Sequence, residues 1–295
     1  MEKLIVAVLM AVALMSCHKA SEYEALENEL QEFAEGKDAK IGVAVIVDGG
    51  HVVEVNGSDR FPMMSVYKFP ISMAVAEYCR AGAIKFADSC LVTSEDLHHD
   101  TYSPMMEVYG DRDSVSITFA ELLKYALQQS DNNASDILLS QIDGIGMVDK
   151  YVEWLGIDGM DVVWTEDELH KDNSRSLDNS STPLAAAKLV DKFDREFNDT
   201  HSLALKRLLE TCVTGHARLV KPLPDDVVVG HKTGTGFITP DGRIMAVNDV
   251  GYVHLPDGRR YSIAVFIADS GYVMKTTEGF VADISAIVYK HINRL

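Results

Sequence analysis

The 295-residue chain is short of the residues that announce several common functions. It holds four cysteines and no C-x-x-C pair, which excludes a dense disulfide scaffold and the usual zinc and thiol-redox motifs. It is short of cations. Lys and Arg number 27 against 45 Asp and Glu, a net charge of -18, and such a surface argues against nucleic acid and anionic membrane as partners. It also lacks a long apolar run. The longest, Leu4 to Met15, is too short to span a bilayer and follows Met1-Glu2-Lys3, which reads as the core of a secretory signal. No internal repeat is evident. His98-His99-Asp100 comes nearest to a metal-ligand cluster, but a polar loop before the Tyr102-Ser103-Pro104 turn accounts for it more simply. No metal and no cofactor are expected.

Residues 1–16 are therefore set apart as a signal peptide, and export to the periplasm is expected. The ending Leu14-Met15-Ser16-Cys17 resembles a bacterial lipobox, which would make Cys17 a lipid anchor at the start of the mature chain. Met before the small residue is unusual in that motif, so ordinary cleavage nearby is the alternative. With Cys17 lipidated, Cys79, Cys90 and Cys212 remain, enough for one disulfide at most. Cys79 and Cys90 are near enough in sequence to pair.

What is present is a globular composition, 47% hydrophobic and 24% charged. Residues 21–36 predict an amphipathic helix with Leu26, Leu30 and Phe33 on one face, Ser21 as N-cap and Gly36 as stop. Residues 40–47 and 51–55 predict a hairpin around Asp48-Gly49-Gly50. Helices are expected over 118–128, 133–141, 147–155, 183–197 and 201–212. Residues 157–182 are polar and aperiodic, a long loop of the kind that is functional or disordered. Strands follow at 227–235, 244–255 and 260–268, the last two joined by Pro256-Asp257-Gly258. Segment 276–295 predicts a closing helix. Strands at both ends with helices between them predict an α+β fold: an antiparallel sheet built from residues 21–60 and 213–295 and flanked by helices, with an inserted all-helical domain over 61–212. A cleft is expected at the junction.

Four stretches carry the chemistry. Ser65-Val66-Tyr67-Lys68 places a hydroxyl and an amine on one helix face, three residues apart, at a helix N-terminus where unpaired N–H groups favour negative charge. Ser130-Asp131-Asn132 breaks two helices. Glu166 lies in the aperiodic loop. Lys232-Thr233-Gly234 lies in the first strand of the C-terminal set. Each alone is weak. Ser16-Cys17-His18-Lys19 is also S-x-x-K, and Ser130-Asp131-Asn132 alone reads as an N-cap cluster.

Taken in this order, the four resemble the class A serine β-lactamases and their penicillin-binding relatives, over residue 22 to the C-terminus. The resemblance implies that Ser65 is the nucleophile of an acyl-enzyme and that Lys68 or Glu166, through a water, takes its proton. Glu166 would drive deacylation. Ser130 would relay a proton to the leaving nitrogen, and Asn132 would hold the substrate's side-chain amide. Lys232, Thr233 and Arg218 would bind its carboxylate. The backbone N–H groups of Ser65 and Thr235 would form the oxyanion hole, and Gly234 would let a ligand's backbone come close. Tyr102 would wall the cleft. A monomer acting on penicillins and cephalosporins is implied.

Departures from the family pattern are specific. His170 stands where the family commonly has Asn, Asp167 where it has Pro, Trp164 where an Arg pairs with an acid at the loop's far end, and Asp136 where it has Asn. His170 and Asp136 together mark a branch with strong cephalosporin preference and often broad spectrum. They leave the loop's path and the seat of the deacylating water open. A penicillin-binding peptidase, a related serine amidase and a β-lactam sensor are the competing readings. Glu166, the Lys232-Thr233-Gly234 set and the lack of a membrane-spanning signalling segment favour a β-lactamase.

Overall fold

The computed structural model describes residues 22–295. The signal peptide, the Cys17 anchor and the Ser21 cap lie outside the described residues. Helix α1 (22–34) buries Leu26 and Leu30. Strands β1 (Lys40–Val47) and β2 (His51–Val55) form a hairpin whose turn takes Asp48 and Gly49 through positive φ. Strand β3 (Phe61–Pro62) leads through a 3₁₀ turn, Met64–Tyr67, into α2 (Lys68–Arg80), which is buried along most of its length.

The middle of the chain is not wholly helical. Strands β4 (Ser89–Thr93) and β5 (Ser114–Thr118) flank the short helix α3 (Met106–Tyr109) and pair with each other. The sequence hides this pair because some twenty residues without a hairpin turn signal separate the strands. Helix α4 (Phe119–Leu123) widens into a π turn at Lys124–Gln128, and α5 (Asn132–Ser140) and α6 (Ile145–Trp154) follow.

The expected aperiodic loop is ordered instead: β6 (Met160–Asp161), α7 (Glu166–Lys171), a 3₁₀ turn at Asn173–Leu177 and β7 (Ser180–Ser181). Strand β7 pairs with both β3 and β6. Helix α7 is too short to show a hydrophobic period, since it buries Leu169 alone. Its local signal is the capping box Thr165-x-x-Glu168, in which each side chain bonds the other's backbone N–H.

Helices α8 (Pro183–Glu196) and α9 (Thr200–Glu210) precede β8 (Val228–Thr235), β9 (Ile244–His254), β10 (Arg260–Ser270) and α10 (Met274–Ile292). The five-stranded antiparallel sheet runs β2-β1-β10-β9-β8, so both ends of the chain build it and β8 is an open edge. Strand alternation divides the core. On β1, Val43, Val45 and Val47 face a cluster with Leu26 and Leu30 of α1 and Val281, Ile284, Val288 and Ile292 of α10. Ala44 and Ile46 face the opposite way, into a cluster with α2, α5 and α8. Each fully buried aliphatic side chain contributes about 1.5–3 kcal/mol, so the two clusters hold the sheet from both sides.

The edge strand β8 presses against the 3₁₀ turn. A β-carbon on Gly234 would lie 2.4 Å from the Met63 carbonyl oxygen and 3.2 Å from the Met64 side chain. The space on the β-carbon side of Gly234 thus belongs to the protein's own backbone. Gly234→Ala should lower stability by about 1–3 kcal/mol through this overpacking, read as a lower urea midpoint at unchanged m-value.

Candidate active site

The turn before α2 is held under strain. Met64 has φ +50°, a region that costs a non-glycine residue energy. The flanking backbone is pinned. Asn248, fully buried on β9, donates from Nδ2 to the carbonyls of Pro62 (2.8 Å) and Met63 (3.1 Å), and Met63 N–H donates to Asn179 O at 2.8 Å. Ser65 is thereby presented into a cleft of about 510 Å³ between β8, α5 and α7.

Lys68 lies directly beneath it, fully buried. Its Nζ donates to Ser65 Oγ (3.1 Å), to the Ser130 carbonyl (2.8 Å) and to Asn132 Oδ1, and lies 2.9 Å from Glu166 Oε1. A buried ammonium is tolerated only with such a ring of acceptors. Three separate elements, the turn before α2, the start of α5 and the start of α7, meet at this one nitrogen.

The second lysine stands opposite. Lys232 is 1% exposed and donates to Ser130 Oγ at 2.8 Å and to the Thr233 carbonyl at 2.8 Å. Burial first, then the Lys68 charge, pushes its pKa down to about 7. Ser130, at φ +64°, lies between the two lysines, its carbonyl on one and its hydroxyl on the other. Asp131 caps α5 through Ala134 N–H (2.9 Å) and also accepts from Met105 N–H (2.7 Å). The N-cap reading of this tripeptide holds for Asp131, and Ser130 and Asn132 line the cleft beside it. Asn132 Nδ2 donates to Thr101 Oγ1 at 2.6 Å.

On the strand side, Thr233 Oγ1 and Thr214 Oγ1 are 2.6 Å apart. Gly236 N–H bonds Ala246 O on β9, so alternation turns the Thr235 N–H outward, to the open edge of β8. Arg218 is buried with its guanidinium on Thr235 Oγ1 (2.7 Å), the carbonyls of Gly234 and Asn248, and Glu278 (3.1 Å). Tyr102 is exposed at the cleft mouth, and its carbonyl accepts from Asn132 N–H. His170 also lines the mouth, with Nε2 2.7 Å from Asp100 Oδ2, which it holds below the usual carboxylate range. His98 lies 3.6 Å from Asp167. Among the described residues no three His, Cys, Asp or Glu side chains group as metal ligands.

Side chains that sequence reasoning passed over, or noted only as departures, hold α7 in place. Asp136 accepts from both Glu166 N–H (2.9 Å) and Asp167 N–H (2.8 Å), and burial pushes its carboxyl up to about 7. At the loop's neck, Asn179 accepts from the N–H groups of Val163 and Trp164 and donates to the Trp164 carbonyl, each at 2.8 Å. Trp164, standing where an arginine was expected, donates its indole N–H to Asp178 at 2.8 Å, so a neutral donor closes the neck. The capping box was the one signal in the sequence; Asn179 and Asn248 carried none. Cys79, Cys90 and Cys212 are all unpaired, which corrects the allowance for a Cys79–Cys90 bond, and burial raises the Cys79 thiol to about 11.

The Beta-lactamase enzyme family profile matches residues 25–292. A β-lactamase of Bacteroides uniformis is 35% identical, covering 92% of each chain. The crystal structure of a class A β-lactamase from Bacteroides cellulosilyticus superposes with a TM-score of 0.88 at 35% identity, covering 93% of this chain and 99% of the other. The chain belongs to the class A serine β-lactamases, hydrolases of β-lactams that confer resistance to them. It is similar to the extended-spectrum β-lactamase PER-1 of Pseudomonas aeruginosa, at 30% identity over 96% of this chain and 92% of that one.

Asp136→Ala leaves two backbone N–H groups of α7 without an acceptor. It should cost about 1–3 kcal/mol in urea denaturation and open the Trp164–Asn179 segment to limited proteolysis.

Proposed function

We propose that this chain is an exported, cephalosporin-preferring β-lactamase that works through an acyl-enzyme on Ser65. The observation that carries the reading is the placement of Lys68 Nζ 3.1 Å from Ser65 Oγ and 2.9 Å from Glu166 Oε1. Ser65 Oγ attacks the lactam carbonyl, and its proton passes into the Lys68–Glu166 pair. The oxyanion is received by the N–H groups of Ser65 and Thr235. The C–N bond breaks, and Ser130, hydrogen-bonded to Lys232, hands a proton to the leaving nitrogen and is refilled with the proton that left Ser65, held until then by the Lys68–Glu166 pair. Water then adds to the ester carbonyl, giving its proton to Glu166. The Ser65 Oγ–C bond breaks, and Oγ takes a proton back as the product acid leaves.

Lys232 and Arg218 supply positive charge on one side of the cleft and, with the Thr233 hydroxyl, bind the substrate's carboxylate. Asn132 takes the side-chain amide, and Tyr102 and His170 wall the mouth. The joint presence of His170 and Asp136 in the sequence and the likeness to extended-spectrum relatives support the cephalosporin preference. The run Leu4–Met15 supports export to the periplasm, with Cys17 as lipid anchor or as a residue beside a simple cleavage site. The acidic surface suits small-molecule substrates over nucleic acid, and the chain acts as a monomer.

The deciding experiment is turnover of a chromogenic cephalosporin and of a penicillin by the purified mature chain, beside Glu166→Ala. The expected result is rapid hydrolysis, higher kcat/KM for the cephalosporin, and an acyl adduct on Ser65 that persists only in the variant, seen by mass spectrometry. A wild type that acylates and does not turn over would instead be a penicillin-binding protein. A further prediction concerns pH. Lys232 is charged below about 7 and neutral above it, so kcat/KM for a carboxylate substrate should fall as pH rises through that value. In Lys232→Arg the cation persists, and the alkaline limb should move to higher pH.

A further inference from the structure

Thr233 on β8 is held from two sides by one short segment that takes no part in the steps above. Residues 211–215 are fastened to the π turn, where the Gln128 carbonyl accepts from Val213 N–H (3.0 Å) and Gln128 Nε2 donates to Thr211 Oγ1 (2.8 Å). Gly215 follows at φ +74°, and a β-carbon there would lie 2.4 Å from the Thr233 methyl carbon. The methyl thus packs where no other side chain leaves room, and a β-branched residue so placed keeps one χ1 rotamer. That rotamer sets Thr233 Oγ1 2.6 Å from Thr214 Oγ1, and both residues line the cleft.

Each hydroxyl has one proton, so the direction of this bond decides what the cleft meets. Donation by Thr233 would aim its proton at Thr214 and show lone pairs to an incoming carboxylate. Donation by Thr214 leaves the Thr233 proton free to point into the cleft. Cys212 lies behind, buried, with Sγ 3.2 Å from Thr214 Oγ1. Among the described residues, Thr233 Oγ1 and Cys212 Sγ are the side-chain partners of the Thr214 hydroxyl. Sulfur accepts weakly and oxygen strongly, so the Thr214 proton goes to Thr233. The thiol then acts as the weak donor at the far end, and a carboxylate accepting from Thr233 aligns all three protons the same way.

We propose that Thr214 is a positioning residue for substrate binding: by donating to Thr233 Oγ1 it turns the Thr233 proton out to the substrate's carboxylate, with the Cys212 thiol behind it in the same chain. This rests on the carboxylate reading of Lys232, Thr233 and Arg218 above and names the group that orients one of them. Thr214 stays clear of the reacting atoms, and no proton changes owner. The carboxylate is held alike before and in the transition state, so loss of this orientation raises KM and spares kcat.

The test compares Thr214→Val, Thr214→Ser and Thr233→Val in the mature chain, on a chromogenic cephalosporin with a free carboxylate and on its methyl ester. Rates are taken per Ser65 site, counted as acyl adduct by intact mass, so a partly folded variant does not distort them. For the free acid, Thr214→Val should lower kcat/KM about tenfold through KM, with kcat within about twofold. Thr214→Ala, which crowds nothing, should do the same. For the ester the loss should stay within about twofold, and Thr214→Ser should bring the acid back to within about twofold of wild type. Added to Thr233→Val, Thr214→Val should cost nothing further, because the hydroxyl it orients is gone. Equal losses on acid and ester, undiminished kcat/KM for the acid, or additive losses in the double variant would overturn the role of Thr214 and leave the carboxylate reading standing. A wild-type chain that hydrolyses the ester as well as the acid would overturn both.

Discussion

The structure depends on finding partners for one wholly buried amine. Lys68 is fully buried, and its Nζ is surrounded by Ser65 Oγ, the Ser130 carbonyl, Asn132 Oδ1 and Glu166 Oε1. No one element supplies this ring. It exists only while the turn before α2, the start of α5 and the start of α7 are all in position, and each is drawn in by the cost of leaving the charge unpaired. Burial foremost, and the charge on this same nitrogen after it, depress the pKa of Lys232 across the cleft, so the two lysines divide labour electrostatically. One is fully paired beneath the nucleophile. The other titrates near neutrality.

Strain at the nucleophile is carried by neighbours that do no chemistry. Met64 and Ser130 both hold positive φ, and each is locked by bonds from other elements: Asn248 and Asn179 around Met63, the two lysines around Ser130. Gly234 removes the side chain that would push the edge strand away from the strained turn. Rigid strands and helices thus hold the reactive groups at fixed separations, which is what acyl transfer needs when little reorganisation is affordable in the transition state.

The segment from 157 to 182 shows how a familiar architecture survives altered parts. Where the family pattern has an arginine–acid pair at the neck, Trp164 donates to Asp178, and Asn179 ties both sides together. At its head, the Asp136 carboxylate offers two acceptors to the first N–H groups of α7. An amide has one acceptor oxygen, so the acid suits this geometry, although its burial raises its proton affinity to about 7. Glu166 is therefore set by its backbone as well as by Lys68.

The sequence by itself determined the fold class, the hairpin at the start, the strands at the end, the helix carrying Lys68 and the family. Periodicity, turn residues and the ordered spacing of four short motifs are local properties that a linear chain displays in full. It also placed Ser65, Lys68, Ser130, Glu166 and Lys232 on one list of candidates. What only the tertiary structure decided is which atoms meet. The contacts of Lys68 with Ser130, Asn132 and Glu166, the burial that moves Lys232 and Asp136, the β4–β5 pair and the closed neck at Trp164 all arise between residues well separated in the chain. Asn179 and Asn248 are unremarkable in sequence because an asparagine's worth lies in the backbone groups it reaches, and those are chosen by the fold. Hydrogen bonds and desolvation act across space, over a few ångströms, and the order of residues does not record those distances.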